Sequence, residues 1–292
     1  MLDRPDISLR AIAPTPLPVG DLVRGKPAEH VADLVPRLFN LCRAAQIVGV
    51  RMALGLPIPD GVDLSADIRR EHVMRLAVML PSRLGLDRIG LPIDWSASQT
   101  EALIGPDGFP ATPEAFDRYL DSDTGIAPLL RTIASRFAPG EACTNALPTA
   151  QGGTTLNGAA QENSVAMRHL DHPVMVWIED TYGRGPLWRT AARAIDLQAA
   201  EEGRLPAPEL LAPGCAIVPA ARGSYAIEAR TDNRGRVLAL RRVTPTDHLL
   251  AQGGIMDQSL ASLPRAKHDQ ALLLVDILDP CTPLKLEEPT HA

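Results

Sequence analysis

The sequence predicts an α+β protein that is mostly helical and carries a small antiparallel sheet near its C-terminus. Two observations support this fold class. Apolar residues recur at helical spacing in segments between about residues 30 and 203, and after Pro213 their period changes from 3.6 to 2. We therefore expect one domain over residues 1–292, with a helical part at about 30–203 and a sheet followed by a cysteine-bearing tail at about 213–292.

Composition limits the possible classes of function. Apolar residues make up 45% and charged residues 22% of the 292 residues, as in soluble globular proteins. The net charge of −6, with no run of basic residues, argues against a nucleic-acid partner. The first residues lack the apolar core of a signal peptide, and no stretch reaches the roughly 18 apolar residues of a membrane helix. We expect a cytoplasmic protein that binds neither nucleic acid nor membrane.

The cysteines are too far apart in sequence to form a local motif. No C-x-x-C pair exists, which argues against a zinc site or a thioredoxin motif, and a cytosolic location argues against structural disulfides. Cys143 lies in a loop and is interpreted as an incidental thiol. Any cysteine chemistry must therefore be assembled by the fold. The four cysteines are Cys42, Cys143, Cys215 and Cys281.

The first helical pattern contains a cysteine. Residues 1–29 are punctuated by prolines and predict extended chain or a short strand. A helix is predicted over residues 36–55, with Pro36 in its first turn and Leu41 on its apolar stripe. Cys42 heads a neighbouring stripe of small residues that includes Gly49. If Cys42 lies in the first turns, the helix dipole would favour its thiolate, whereas the alternative is an ordinary core cysteine.

Caps and apolar spacing predict further helices and one long loop. The helices are expected at 66–80 after Ser65 and before Pro81, from Pro113 after Thr112, at 126–137, and at 186–203. Residues 140–160 have no period and predict a long loop, without a phosphate-binding glycine pattern.

The last third alternates polar and apolar residues. Strands are predicted at 215–220, 224–231 and 236–243. Arg222 stands at a strand boundary, and Pro245 places Thr246 on a rigid corner; an ordinary ion pair and an ordinary turn are the alternatives. A short helix is expected at 254–263. In the tail, Pro280 stiffens the corner before Cys281, which either ends a core segment or holds a thiolate.

Five stretches, taken in order, resemble motifs of the nickel-iron hydrogenase large subunit. Residues 37–46 match R-x-C-G-x-C-x-x-x-H with Cys42 at the second cysteine, 185–189 match G-P-L-A-R, 221–223 match A-P-R-G, 245–246 match the start of P-[ST]-x-W-N, and 279–281 match the first half of D-P-C-x-x-C-x-x-H. The resemblance implies a reduced helical bundle of the large-subunit type with a small antiparallel sheet near the C-terminus.

The departures from these motifs determine the implied chemistry. Phe39 and Leu284 stand where each motif has its other cysteine, and Gln46 and Glu287 replace the two histidines. In the family, four thiolates hold nickel and iron, and soft thiolates select such metals. The resemblance therefore implies no nickel, no hydrogen chemistry and no enzymatic activity.

The retained residues are those that would handle the iron fragment, which in the family carries two cyanides and one carbon monoxide. By this resemblance, Cys42 is the direct iron ligand and Cys281 the second ligand. Arg222 would donate to one cyanide and Thr246, beside Pro245, to the other, because buried anionic acceptors need donors.

This combination is similar to the hydrogenase expression/formation proteins of the HupK and HoxV type. The implied function is a maturation scaffold that transiently holds the iron-dicyanide-carbonyl group. Its partners would be a HypC/HypD-like chaperone complex and the apo large subunit of the hydrogenase. A metal-free interaction factor for hydrogenase subunits is the alternative, and a divergent catalytic subunit, which would require nickel, is the less favoured one.

Overall fold

The structure is a computed structural model that describes residues 9–39, 41–91 and 98–288. The α-helices are α1 (Val19–Val23), α2 (Ala28–Leu38), α3 (Arg43–Ala53), α4 (Leu64–Val73), α5 (Leu80–Leu84), α6 (Gln99–Ile104), α7 (Pro113–Leu120), α8 (Ala127–Arg136), α9 (Pro173–Tyr182), α10 (Pro186–Glu201), α11 (Pro245–Leu249), α12 (Ile255–Ala261) and α13 (Ala271–Leu278). A π-helix, Met74–Met79, joins α4 to α5, and 3-10 turns lie at Gly152–Leu156, Val165–Arg168 and Arg265–Gln270.

Two antiparallel sheets complete the fold, and the α+β, mostly helical class is confirmed. The strands are β1 (Arg10–Ile12), β2 (Glu209–Ala212), β3 (Cys215–Ala220), β4 (Gly223–Thr231), β5 (Val237–Val243) and β6 (Lys285–Glu287). Strands β2 to β5 form a four-stranded meander, in which Tyr225 pairs with Val218 and Ala226 pairs with Val243. Strands β1 and β6 form a separate two-stranded ribbon that joins the two ends of the described chain.

Helix α10 is the centre of the main core. Nearly all of its residues are buried, including Trp188 and the small residues Ala191, Ala192 and Ala194. Helices α4, α8, α9 and α13 pack around it. Alanines on a central helix let neighbouring helices approach closely, so a core forms although aromatic residues are only 3% of the sequence.

A second core lies between α2, α3 and the four-stranded sheet. Gly49 is at the closest approach of α3 to the sheet, since a Cβ atom there would lie 2.6 Å from Cδ1 of Ile227 and 3.3 Å from Cγ2 of Val218. The stripe of small residues that begins at Cys42 permits this close approach. The packing places the start of α3, and with it Cys42, against β3 and β4.

The helix expected over residues 36–55 is instead two helices. Pro36 lies near the end of α2, where it removes one backbone donor, and α2 ends two residues later. Phe39 leaves the helical conformation, with φ of −129° and ψ of 81°, Asn40 lies outside the described residues, and Cys42 is the N-cap of α3. Leu41 is 45% exposed, so its assignment to the apolar stripe was wrong.

The predicted boundaries of the next helix were also wrong. Helix α4 begins earlier than expected, because Asp63 caps it by accepting a hydrogen bond from the backbone of Ala66 at 2.9 Å. Pro81 does not stop the helix but lies in the first turn of α5. The π-helix before α5 shifts the register of backbone hydrogen bonds, and a proline without an N–H is tolerated at such a junction.

The other predicted helices and strands are confirmed, with boundaries that differ by at most two residues from those expected. Thr112 caps α7 with its Oγ1 3.3 Å from the backbone nitrogen of Ala115, and Pro186 is the first residue of α10. Residues 140–160 are irregular apart from one 3-10 turn. Helices α1, α6, α9, α11 and α13 and strands β2 and β6 were not predicted, and the extended conformation expected up to residue 29 was wrong at α1. Within the described ranges, no helix has both the length and the apolar character needed to span a bilayer.

A buried histidine joins α4 to α10 and predicts acid lability. His72 Nε2 donates to Asp196 Oδ2 at 2.8 Å, while Nδ1 faces Arg193 Nη1 at 3.5 Å. Burial, opposed by Asp196, lowers the pKa of His72 to about 4. Because this value is below the pKa of about 6.5 in the unfolded chain, the stabilisation is complete above about pH 6.5 and is lost as the pH falls towards 4.

The expected loss from this histidine between about pH 7 and about pH 4 approaches about 3 kcal/mol in the free energy of unfolding. Urea denaturation across this range measures it, and His72→Gln should remove most of the dependence. The low pKa of Asp196 adds a loss that begins near the ordinary pKa of an Asp carboxyl group, at the lower edge of this window, and falls mainly below it. Equal pH dependence in the native protein and the variant would contradict the assignment.

Candidate metal-group site

The structure brings the predicted site residues together from four parts of the chain. Cys42 lies at the break between α2 and α3, Arg222 in the turn between β3 and β4, Thr246 in the first turn of α11, and Cys281 after α13. Arg222 Nη1 donates to the sulfur of Cys42 at 3.3 Å, and the backbone nitrogen of Cys281 donates to Thr246 Oγ1 at 2.8 Å. The fold thus assembles the site from residues that are far apart in the sequence.

Tyr225 connects the two sulfurs and was missed by the sequence interpretation. Its hydroxyl lies 3.8 Å from the sulfur of Cys281, and Tyr225 packs in the same buried cluster as Cys42. Tyr225 is 2% exposed. A signal was available, because β4 leaves the turn that carries Arg222 and the alternation of a strand turns Tyr225 towards α3.

Thr246 has one additional role beyond the predicted one. Its oxygen accepts from Cys281, which leaves its own hydroxyl proton free to be donated. Thr244 caps α11 together with Asp247 in a reciprocal capping box, and Pro245 occupies the first helical position, where no N–H is needed. These caps hold Thr246 against the cysteine-bearing tail.

A buried carboxylate orients Arg222. Asp279 is 2% exposed and has a left-handed backbone, with φ of 54° and ψ of 58°. Its Oδ1 accepts from Arg222 Nη2 at 3.1 Å, its Oδ2 lies 3.4 Å from Arg193, and it also pairs with Arg75. Arg222 Nε donates to the backbone oxygen of Asp279 at 3.2 Å. Arg222 is therefore a buried, fixed donor rather than part of a surface ion pair.

A second carboxylate supports the turn that carries Arg222. Asp196 is fully buried and accepts from Arg168 Nη1 at 2.9 Å. The other Nη of Arg168 donates to the backbone oxygens of Ala220 and Gly223, at 2.8 and 2.6 Å, on both sides of Arg222. Because α10 carries Asp196, Arg168 links the β3–β4 turn to the central helix.

Burial controls the protonation of Cys42. It raises the pKa of the Cys42 thiol to about 12, and Arg222 opposes this increase only in part. The expectation that the start of a helix would favour the thiolate was therefore wrong, because desolvation outweighs the helix dipole. Burial lowers the pKa of Arg222, but Asp279 and the neighbouring anions raise it more, so its net shift is upward. Free Cys42 is a thiol at neutral pH, and a bound metal would displace its proton.

Two cavities adjoin the site. A cavity of about 650 Å³ is lined by both thiols and by Ala13, Pro14, Thr15, Pro16, Leu17, Leu38, Phe39, Leu41, Tyr225, Arg242, Thr244, Thr246, Asp247, Leu250 and Thr282. A second cavity, of about 30 Å³, lies behind it and is lined by Asn163, Ser164, Val165, Arg189, Arg193, Arg222, Pro245, Thr246, Leu249, Ile255, Ile277, Leu278 and Asp279. Thr246 lines both cavities, so the small cavity adjoins the large one at this residue, while the two sulfurs line only the large one.

The donor set fits a metal group that brings ligands of its own. No group of three or more Cys, His, Asp or Glu side chains suitable for a metal ion occurs in the described part of the chain. Two sulfurs are available, together with a buried guanidinium and a hydroxyl, which are donors for anionic acceptors. The amide of Gln46, one turn along α3 from Cys42, is buried and has no hydrogen-bond partner among the residues that the structure describes.

Known proteins resemble this chain in sequence and in fold. No protein-family model matches the sequence. The chain is 46% identical over 282 residues, 96% of its length and 92% of the relative, to the hydrogenase expression/formation protein HupK of Rhodobacter capsulatus.

Solved hydrogenases share the fold at low sequence identity. The nickel-iron-selenium hydrogenase of Desulfovibrio vulgaris Hildenborough in its reduced state superposes with a TM-score of 0.56 at 12% identity, covering 95% of this chain and 97% of that chain. A reduced, active nickel-iron-selenium hydrogenase from Desulfomicrobium baculatum gives 0.54 at 12% identity, with the same coverage of 95% and 97%. These similarities confirm the large-subunit-like fold. The sequence relative shows that this chain belongs to the HupK family of hydrogenase expression/formation proteins.

Proposed function

We propose that this protein is a maturation scaffold for nickel-iron hydrogenase that holds the iron-dicyanide-carbonyl group on Cys42 and Cys281 before its transfer. Membership of the family supports a role in hydrogenase maturation. The observation that carries the finer proposal is the buried Arg222, which donates to the sulfur of Cys42 at 3.3 Å and is fixed there by Asp279. A rigid cationic donor beside a thiol suits an iron group with anionic ligands.

In this proposal each residue has a defined role. Cys42 and Cys281 lose their thiol protons and bind the iron through sulfur. Arg222 donates to one cyanide, and the free hydroxyl proton of Thr246, held beside Pro245, is donated to the other. Two sulfurs hold a metal group less firmly than four, which favours release over permanent retention.

The same residues argue for a carrier rather than a catalyst. Phe39 and Leu284 supply no sulfur, so the site would hold no nickel and perform no hydrogen chemistry. A HypC/HypD-like chaperone complex would supply the iron group, and the apo large subunit would receive it. These partners and a cytoplasmic location belong to the same proposal.

Infrared spectroscopy of protein co-produced with the maturation machinery tests the proposal. The native protein is expected to show cyanide and carbonyl stretching bands and to contain iron without nickel. Cys42→Ser should remove the bands and the iron, and Cys281→Ser should reduce both. Cys215→Ser is the matched control, because Cys215 is a half-buried thiol at the start of β3 and does not line the cavity with Cys42.

A metal-free interaction factor is the second candidate. Its support is the apolar rim of the larger cavity, where Leu17, Leu38 and Leu41 are 48%, 39% and 45% exposed. Native protein without iron or infrared bands, together with full hydrogenase maturation by the Cys42→Ser, Cys281→Ser double variant, would replace the scaffold proposal with this one. Nickel content and hydrogen-dependent dye reduction would identify a divergent catalytic subunit.

A further inference from the structure

We infer that Arg242 is a selectivity residue of this site, whose guanidinium, stacked on Phe39 in the same cavity as the two thiols, favours an anionic metal group over a free divalent cation. The inference rests on the proposed function, since it concerns what the two thiols accept. It assigns a role to Arg242, a basic residue that lies outside the sequence motifs.

Strand geometry places Arg242 on the site's side of the sheet. Arg242 is paired with Ile227, and their neighbours Val243 and Ala226 are paired in turn. Paired residues of an antiparallel sheet share a face, and residues two positions apart along a strand share it as well. Arg242 is therefore on the face of Ile227 and Tyr225, which is the face that packs against α3.

A stacked ring fixes the guanidinium but leaves its donors free. The Cζ of Arg242 lies 3.5 Å from the centroid of the Phe39 ring, a cation–π contact. Arg242 is half-buried, and among the residues described in the structure its side chain has no hydrogen bond and no ion pair. Its N–H groups lie in the plane of the guanidinium and remain available to an acceptor in the cavity.

Arg242 is the basic residue in the lining of this cavity, and Asp247, held in the cap of α11, is the acidic one. Arg222 contacts the sulfur of Cys42, and Arg242 lines the cavity that contains both thiols. The positive charge of Arg242 also acts on Tyr225. Burial raises the pKa of Tyr225, and Arg242 opposes this increase without cancelling it. Arg222 is paired with Asp279 and Glu71, whereas Arg242 has no such carboxylate among the described residues. A divalent cation entering this cavity would therefore be repelled chiefly by Arg242, whereas an iron group with cyanide ligands and two thiolates would be attracted to it. Phe39, which stands in place of a cysteine, supplies the ring that holds this charge.

Titration of the metal-free, full-length protein with Co²⁺ under anaerobic conditions tests the inference. Co²⁺ bound to thiolate has an intense near-ultraviolet charge-transfer absorption, so occupancy of the sulfurs is read directly. Arg242→Gln should bind Co²⁺ at least about tenfold more tightly than the native protein, because one repelling charge is removed. Arg242→Lys keeps the charge and should stay close to the native affinity. The absorption should be absent in the Cys42→Ser, Arg242→Gln double variant.

Arg230→Gln is the matched control. It removes the same charge from the same sheet, but Arg230 is exposed on β4 and does not line the cavity. Its Co²⁺ affinity should equal that of the native protein, and unfolding midpoints verify that all variants are folded. Phe39→Leu, which removes the stacking ring, should give an affinity between those of the native protein and Arg242→Gln.

Three results would overturn the inference. The first is a Co²⁺ affinity of Arg242→Gln no higher than that of the native protein. The others are an equal increase in Co²⁺ affinity in Arg230→Gln, or an increase in Arg242→Lys as large as in Arg242→Gln. The titration needs no iron group, so its outcome is separate from the infrared test. Tightening in Arg242→Gln without infrared bands in the native protein would leave this selectivity intact and reject the iron scaffold. Infrared bands in the native protein, without a higher Co²⁺ affinity in Arg242→Gln, would support the iron scaffold and reject this selectivity.

Discussion

Asp279→Asn is expected to lower the free energy of unfolding by about 3 kcal/mol or more at neutral pH. The substitution leaves the size of the side chain unchanged, and asparagine tolerates the left-handed backbone that this position requires. The charge is removed, and one of the two accepting oxygens becomes an NH2 donor that faces a guanidinium. Arg193 and Arg222 are then buried without the carboxylate that both contact, and Arg75 loses the same partner.

Urea denaturation of Asp279→Asn and Asp276→Asn, side by side, measures this effect. Asp276 lies three residues earlier and pairs with Arg83, whose side chain is 52% exposed. Exposed ion pairs contribute about 0–1 kcal/mol, so Asp276→Asn should cost no more than that. Similar losses in the two variants would show that the buried carboxylate has no special role.

The functional consequence of Asp279→Asn concerns Arg222. Its Nη2 loses the carboxylate at 3.1 Å and keeps the more distant one of Glu71 at 3.4 Å, while the backbone oxygen of residue 279 continues to hold its Nε. The guanidinium is then less firmly aimed at Cys42. In the scaffold proposal, protein that remains folded should retain less iron than the native protein under the same dialysis.

Gly223→Ala is expected to cost about 3 kcal/mol or more, the second large effect. Gly223 has a φ of 138°, which side chains rarely adopt. A Cβ atom there would lie 2.2 Å from the backbone oxygen of Asn163, so the backbone must move. The movement would break the pair of hydrogen bonds between Asn163 and Ser224 and displace Arg222.

Gly235→Ala separates backbone strain from the clash. Gly235, in the turn between β4 and β5, also has a positive φ, of 70°, but no described atom lies within 4 Å of the position that a Cβ would take there. It should lose only about 1 kcal/mol. Thermal or urea unfolding of both variants provides the comparison, and equal losses would mean that the contact with Asn163 yields easily.

Much of the site could be predicted because its residues occur in short motifs. Cys42, Arg222, Thr246 and Cys281 each belong to a stretch with recognisable order and spacing, and the structure brings all four together. Helix caps such as Thr112 are equally local, since the capping residue and the N–H that it accepts are three positions apart. Local signals of this kind need no knowledge of the fold.

The features that were missed depend on distant contacts. Apolar spacing continues through the break between α2 and α3, so periodicity alone predicted one helix there. The π-helix Met74–Met79 contains Arg75, which reaches Asp279 more than two hundred residues later. Arg242 acquires its position from Phe39, on another element. A single sequence specifies such pairs only through the folded structure.

The ribbon of β1 and β6 determines when the site can form during synthesis. Residues 13–17, which directly follow β1, line the cavity, and Cys281 lies just before β6. Pairing between the earliest and the latest described parts of the chain therefore brings the cavity-lining residues 13–17 and the sulfur of Cys281 together. The residues of β6 must emerge from the ribosome before this pairing can begin. Closing a loop of this length is also slow. A growing chain that has not yet reached β6 thus has no complete cavity, so in the scaffold proposal the metal group would be loaded only after β6 has emerged.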